Sequence, residues 1–400
     1  MLDPLFSQAV IVLEKLESKG HQAFFVGGAV RDYLLKKPIK DIDIATSATP
    51  TEVQAIFPKV IPVGIEHGTV IVRLKKQSFE VTTFRTEGNY SDFRHPDQVQ
   101  FVNRIGEDLS RRDFTINAIA MDKSGDLYDP FHGQLDIKKQ LISTVGNAHD
   151  RFHEDPLRMM RALRFVSQLS FKLESDTLDA IKEKIRWIEE VAIERLAIEF
   201  EKTLAGQGIS DAIALWSTVQ IWDKLPVFNR DSMLIRSMET LQTPLPELYE
   251  VFAFLKMQQT HVSVKDLVRG WKQSNQTFLM ADKLVSVLQL YKQEGLHNWL
   301  LYQLPETLYE AFIRLTRILY QVEFKMTDLI VAVNRLPIKS RKDVQVSGNA
   351  LIALYPNREK GDWIARYLNE IEKAIVVGDL INKEIEIKEW VITCHPPKKN

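Results

Sequence analysis

Residues 23–46 read AFFVGGAVRDYLLKKPIKDIDIAT. The first four form a short apolar, aromatic run that stops at Gly27-Gly28, as a strand stops at a turn. A helix over 29–36 fits next. Residues 39–44 then alternate charged and apolar side chains, which places Asp41 and Asp43 on a second strand. In a strand, residues i and i+2 face the same side. Two neighbouring carboxylates repel unless a cation neutralises them. Hard oxygen donors so arranged suit Mg²⁺, which takes carboxylates together with nucleotide phosphates. A Gly-Gly turn opening a helix lets backbone N–H groups approach phosphate oxygens, and Arg31 adds a guanidinium. Each feature alone is compatible with an ordinary turn or a solvated strand face. Together, a phosphate cradle about ten residues ahead of an acidic pair is the layout of nucleotidyl transfer.

The neighbouring sequence predicts a mixed head. Residues 69–74 (TVIVRL) and 79–84 (FEVTTF) read as strands joined by Lys75-Lys76-Gln77-Ser78 in a hairpin, with a further strand at 98–102. Helices fit 5–18, 50–57 and 107–120. Beyond about residue 150 strand signals nearly vanish. Apolar residues recur at helical spacing through 156–169, 175–190, 192–205, 209–222, 245–257, 262–272, 278–293, 305–321 and 326–335. Breaks fall at 206–208, Pro226, 244–246 and Pro305. The fold class is therefore α+β, an N-terminal head with a small sheet followed by all-α pieces.

Composition narrows the function. The 400 residues carry 52 basic and 53 acidic side chains, a net charge of −1. Bulk electrostatics do not point to nucleic acid, so any such site is a local basic patch. A single cysteine, Cys394, excludes an internal disulfide framework and a multi-Cys zinc module. No run approaches about 18 apolar residues, so no membrane span is expected. The N-terminal MLDPLFSQAVIVLEKLE reads as an amphipathic helix rather than a signal peptide, and a cytoplasmic location is the expectation.

Three further clusters carry chemistry. In Arg111-Arg112-Asp113, read as a helix start, Arg112 can contact phosphate and Asp113 can accept from a ribose hydroxyl; a surface salt-bridge cluster is the plainer reading. In residues 154–165, EDPLRMMRALRF, Asp155 fits an N-cap and Pro156 the first helical position. Arg158, Arg161 and Arg164 step by three, each rotated about 60° from the last, and form a slanting basic ridge. Arg195 and Glu199 read as an i,i+4 ion pair bracing its own helix. His149-Asp150 lacks the surrounding pattern of a metal phosphohydrolase, and His132 and His153 lack ligand spacing.

GGAVRD, DIDIAT, EHGTVIV, EVTTFRTEG, RRDFTINA, YDPFHG, EDPLRMMRALRF and ERLAIEF occur in the order found in tRNA nucleotidyltransferases. The chain thus resembles the CCA-adding enzymes of the bacterial and eukaryotic class II, within the DNA-polymerase-β superfamily. The motifs cover about 20–205; residues 344–382 also look like the family's C-terminal end, while 210–335 resemble it only in being helical. The resemblance implies a nucleotidyltransferase head (1–147), a neck of base-binding helices (148–207), a helical body (208–335) and a tRNA-binding helical tail (336–400). It implies template-independent addition of C, C and A to the 3′ end of tRNA from CTP and ATP, with release of pyrophosphate.

By the same resemblance Asp41 and Asp43 bind Mg²⁺ in a two-metal mechanism, with Glu80 the candidate third carboxylate. Gly28 and Arg31 match the triphosphate-binding turn. Arg112 matches the nucleotide-contacting arginine and Asp113 the acid near the ribose. Asp155, Arg158, Arg161 and Arg164 match the nucleotide-binding helix, with Arg195 and Glu199 as structural support. Cytosine and adenine both present an amino donor beside a ring-nitrogen acceptor, whereas uracil and guanine present the reverse. An Asp155/Arg158 pair therefore accepts C and A and rejects U and G, because a wrong base leaves buried groups unpaired. The loop at 86–97 matches the segment tied to the switch from C to A addition. A bacterial poly(A) polymerase shares the head motifs but usually carries a longer, basic C-terminal extension. A specialised CC-adding-only or A-adding enzyme and a non-catalytic RNA-binding protein on a degenerate head compete with this reading too. A homo-oligomer is compatible with the sequence.

Overall fold

The computed structural model of the chain describes residues 4–74, 77–88, 98–229 and 231–396. It divides into two units, Met1–Pro246 and Glu247–Asn400. The neck–body boundary expected at 207/208 falls inside the first unit and the body–tail boundary at 335/336 inside the second.

The first unit opens with α1 (Pro4–Glu17), β1 (Ala23–Val26), α2 (Gly28–Leu34), β2 (Asp43–Thr46) and α3 (Pro50–Ile56). There follow β3 (Val60–Gly64), β4 (Thr69–Leu74), β5 (Gln77–Thr83), β6 (Arg85–Glu87), β7 (Val99–Phe101) and α4 (Ile105–Ser110). β8 (Ala120–Met121) and β9 (Leu127–Tyr128) complete a seven-stranded sheet in the order β3-β4-β5-β2-β1-β8-β9. β2 and β5 run parallel; the other pairings are antiparallel. The strand expected at 98–102 is β7, which pairs with β6 in a separate ribbon.

Period-two alternation puts Phe25, Ile44 and Val81 into one core, under α1, and Val26 and Ala45 into a smaller core on the opposite side. Register then builds the site. Val26 lies opposite Asp43, and Asp43 lies opposite Glu80. The Gly27–Gly28 turn at the end of β1 and Asp43 at the start of β2 thus meet beside Glu80, midway along β5. β2 is shorter than expected. It begins at Asp43, and Asp41 sits in the lead-in, yet the alternation holds: Ile42 and Ile44 are buried, Asp41 is exposed and Asp43 is half-buried.

The helix expected over 107–120 is wrong. α4 stops at Ser110, Thr115–Asn117 is a short 3-10 turn, and the chain then enters β8. Phe114, Ile116, Ala118, Ile119, Ala120 and Met121 are all buried. A helix with one wet face cannot bury such a run. The backbone bonds elsewhere: Thr115 N–H donates to Ser143 O and Val145 N–H to Asp113 O.

Helices α5 (Gly133–Lys139), α6 (Ala148–Glu154), α7 (Leu157–Leu169), α8 (Ser175–Lys184), α9 (Ile193–Leu204), α10 (Ile209–Thr218) and α11 (Ser232–Glu239) complete this unit. α7 packs on α9 and α10. The second unit is helical throughout its described residues, from α12 (Leu248–Gln258) onward. Within it Glu250 is 2% exposed and accepts from Arg314 Nη1 at 2.8 Å. Burial pushes the Glu250 carboxyl up from 4.5 to about 7, against the pull of Arg314 and aided by Glu247 and Glu310.

A raised folded-state pKa favours the fold below pH 4.5, and that contribution is lost as pH rises through about 7. Glu250→Gln stays neutral. Its stability relative to the parent protein is expected to rise by about 1–3 kcal/mol between pH 5 and pH 8. Urea midpoints at the two pH values check this, and a pH-independent difference would refute it.

Candidate active site

A cavity of about 440 Å³ opens beside the Gly27–Gly28 turn and is lined by Asp43, Asp113, Asp155 and six arginines: Arg31, Arg111, Arg112, Arg158, Arg161 and Arg164. A neutral chain thus concentrates a local excess of positive charge, which suits a polyanion such as a triphosphate. Gly27 has φ +71°, and a Cβ there would lie 3.2 Å from Arg112 Nη1 and 3.4 Å from Asp43 Oδ2. Glycine permits both the turn and the close approach of backbone to site.

Of the acidic pair, Asp43 borders this cavity and Asp41 does not. Burial raises the Asp43 carboxyl, Arg112 opposes it and Asp41 adds to it. Desolvation, Asp43 and Asp41 all raise Glu80. Asp43 also lines a second cavity of about 330 Å³ together with Asp41 and Glu80. Mutually repelling carboxyls at an open site fit a divalent cation. Among the described residues no group of three His, Cys, Asp or Glu side chains could hold a metal unaided, so an ion there would need further oxygen donors.

Each of the six arginines is fastened by an acid. Arg31 donates to its neighbour Asp32 at 2.9 Å. Asp108, fully buried, accepts from Arg111 at 2.7 and 3.0 Å and from Arg112 at 3.1 Å. Burial raises its carboxyl, but the two guanidiniums outweigh burial and hold it low. Arg158 donates to Glu154 at 2.6 Å and to Arg111 O at 3.2 Å. Arg161 donates to Asp113 at 2.8 Å, and Arg164 to Glu199 at 2.6 Å. Burial alone would raise Asp113; Arg161, Asn117 and Arg158 outweigh it and hold the carboxyl far below the usual range. Asp113 already accepts four bonds, from Phe114 N, Asn117 Nδ2 and two nitrogens of Arg161. A carboxylate offers about four acceptor positions, so a ribose hydroxyl would have to displace one of these donors.

Two sequence expectations are corrected. Arg195 and Glu199 do not pair with each other. Arg195 Nη2 reaches Asp155 Oδ2 at 2.8 Å, while Glu199 takes Arg164 and, at 3.9 Å, Arg161. They tie α9 to the start and the ridge of α7 rather than bracing α9, because Glu199 is buried against the arginines of α7 while Arg195 meets Asp155. Asp155 is not the N-cap of α7. That place is Pro156, with no side-chain cap bond; Asp155 closes α6. Its Oδ1 still accepts from Leu157 N at 3.1 Å.

The structure adds Arg111, Asn117 and Phe165 to the cavity wall. The Phe165 ring lies 4.1 Å from the Arg164 guanidinium, 5.1 Å from that of Arg31 and 6.0 Å from that of Arg161. One aromatic ring is thus within cation–π range of three arginines. The sequence alone assigned no role to Asp108 or Phe165; the Asp-to-Arg spacing 108–111–112 was a signal for the first. Most of the loop expected at 86–97, namely 89–97, lies outside the described residues.

Residues 23–143 match the Poly A polymerase head domain family, 170–229 the family described as probable RNA and SrmB-binding site of polymerase A, and 247–391 the family tRNA nucleotidyltransferase domain 2, putative. The chain is 45% identical over 401 residues to a CCA-adding enzyme of Oceanobacillus iheyensis, covering 100% of both chains. It is 42% identical to one of Anoxybacillus flavithermus, covering 99% of this chain and 98% of that one. The fold superposes on a Bacillus stearothermophilus CCA-adding enzyme solved in complex with CTP, with a TM-score of 0.88, 35% identity and 98% of each chain covered. A more distant likeness, TM-score 0.60 at 21% identity over 81% of this chain and 98% of the other, is to a tRNA nucleotidyltransferase with a primer tRNA and an incoming ATP analog. The head carries a polymerase name that two activities share, but the full-length relatives carry one: this chain belongs to the CCA-adding enzymes, the tRNA nucleotidyltransferases with a polymerase-β-type head.

Proposed function

We propose that the chain adds C, C and A to the 3′ end of tRNA from CTP and ATP, without a nucleic-acid template, through the cavity between the Gly27–Gly28 turn and α7. One observation supports the placement above the others: Asp43, at the end of β2, borders the same cavity as the arginine ridge of α7. The turn with Gly28, Arg31 and Arg112 takes the triphosphate. Asp155 accepts from the base amino group and Arg158 donates to the ring nitrogen. Arg195 steadies Asp155, Glu154 steadies Arg158, and Glu199 steadies Arg161 and Arg164. Asp113 acts chiefly as the anchor of Arg161.

Asp41 and Asp43 would hold Mg²⁺, with Glu80 beside them. A pair of ions held there would supply Lewis-acid activation of a hydroxyl and neutralise charge on the leaving group. The tRNA 3′-hydroxyl gives up its proton to water, its oxygen bonds to the α-phosphorus, the bond to the α–β bridging oxygen breaks, and pyrophosphate leaves. The arginines hold the triphosphate in line and need not reorganise as charge shifts toward pyrophosphate. Residues 336–400 are assigned to tRNA binding and the cytoplasm is the assigned location; among the described residues no helix is long and apolar enough to cross a membrane.

The test is a tRNA lacking its 3′ CCA, offered CTP alone, ATP alone and both, with the ends sequenced. The expected products are CC, no addition, and CCA. An A tract would make the chain a poly(A) polymerase, and a stop at CC a CC-adding enzyme.

A further inference from the structure

Asn117 stands behind the residues assigned to substrate. It ends the Thr115–Asn117 turn and is 6% exposed. Its amide makes two directed bonds. Oδ1 accepts from Arg31 Nη1 at 2.6 Å, and Nδ2 donates to Asp113 Oδ1 at 3.0 Å. The two partners fix the amide's orientation. A guanidinium has only donors and an ionised carboxylate only acceptors, so a flipped amide would set donor against donor and acceptor against acceptor.

The remaining bonds of Arg31 come from its sequence neighbour. Nε donates to Asp32 Oδ1 at 2.9 Å, and Nη2 approaches the same oxygen at 2.9 Å. Asp32 therefore neutralises the charge and holds one edge of the plane. Asn117 holds the Nη1 side. Beyond Asn117 the chain of bonds continues through Asp113 to Arg161 on α7. Among the described residues Asn117 is thus the hydrogen-bonded link from the Arg31 guanidinium to an element outside α2.

We propose that Asn117 is a positioning residue: it aims the Arg31 guanidinium into the cavity and is itself held for that task by Asp113, which Arg161 of α7 anchors. The proposal rests on Arg31 as a triphosphate ligand. Residues on the base side are held independently, Asp155 by Arg195 and Arg158 by Glu154. Loss of Asn117 is thus expected to weaken phosphate recognition without changing which base is chosen.

The experiment is a double-mutant cycle on the full-length protein with Asn117→Ala, Arg31→Ala and the two combined, reading CTP, CDP and CMP affinity by calorimetry and C-over-U selectivity by incorporation. For Asn117→Ala the expected loss is about five- to tenfold for CTP and less than about twofold for CMP, the size of one charge-assisted hydrogen bond partly backed up by Asp32. Selectivity stays unchanged. The double variant binds CTP no worse than Arg31→Ala alone, because contacting residues in one network do not add. Equal losses for CTP and CMP, or additive losses in the double variant, would overturn the proposal and leave Asn117 a packing residue. If Arg31→Ala alone left CTP affinity intact, the phosphate role of Arg31 would fall first, and the proposal with it. Should Asn117→Ala not fold, Asn117→Ser goes through the same cycle, and the same results support or overturn the proposal.

Discussion

Asp43→Ala is expected to slow both C and A addition by at least about a thousandfold, some 4 kcal/mol of transition-state stabilisation, with tRNA affinity changed by less than about twofold. Asp41→Ala should act in the same direction. Asp43 is the stronger case because it borders both the arginine-lined cavity and the neighbouring cavity that Asp41 and Glu80 share. Its carboxyl is raised by burial and by Asp41, with Arg112 opposing. The folded protein therefore carries a repulsion there that serves no packing purpose. Removing one carboxylate should leave the melting temperature unchanged or higher, the usual signature of a site that trades stability for function. Single-turnover rates on tRNA lacking CCA, read beside the melting curve, separate a missing metal ligand from a damaged fold. A near-normal rate in either variant would remove the metal assignment.

Asp155→Asn is expected to lower discrimination of C and A against U and G by about ten- to a hundredfold, the worth of one buried hydrogen bond reversed from acceptor to donor. UTP and GTP incorporation should rise relative to CTP and ATP, at a lower absolute rate. The geometry makes this substitution informative. An Asn oxygen can keep the bond from Leu157 N–H, so the start of α7 is preserved, while an NH₂ replaces the oxygen that faces Arg195. Arg158→Ala should degrade the same selectivity from the other side of the base. Arg195→Ala should cost less than either, since it frees Asp155 without removing it. Competition assays with mixed triphosphates and sequenced products read all three. Full C/A selectivity in Asp155→Asn would reduce the residue to a helix-start contact.

The residues that touch substrate in this reading were visible because their spacing is local. A Gly-Gly turn, an i,i+2 acid pair and arginines stepping by three each declare themselves within one strand or one helix, where geometry is set by period alone. The α+β order and most helices after residue 150 followed from the same periodicity, and the register Val26–Asp43–Glu80 then set the turn and the carboxyls side by side across three strands. Residues 107–120 were misread as a helix because their apolar run is buried on every side, a pattern that tertiary wrapping produces and a helical period cannot distinguish.

What holds those residues in place was decided by the tertiary structure. Arg195 chose Asp155, 40 positions away, over Glu199 in its own helix; Glu199 chose Arg164, 35 positions away; Arg161 chose Asp113 at 48. An exposed i,i+4 pair is worth only about 0.2–0.5 kcal/mol, whereas a buried charge left unpaired costs several. Spacing therefore determined which charges this chain has and which face each one presents, and packing determined which charge answers which, because desolvation outweighs proximity along the chain.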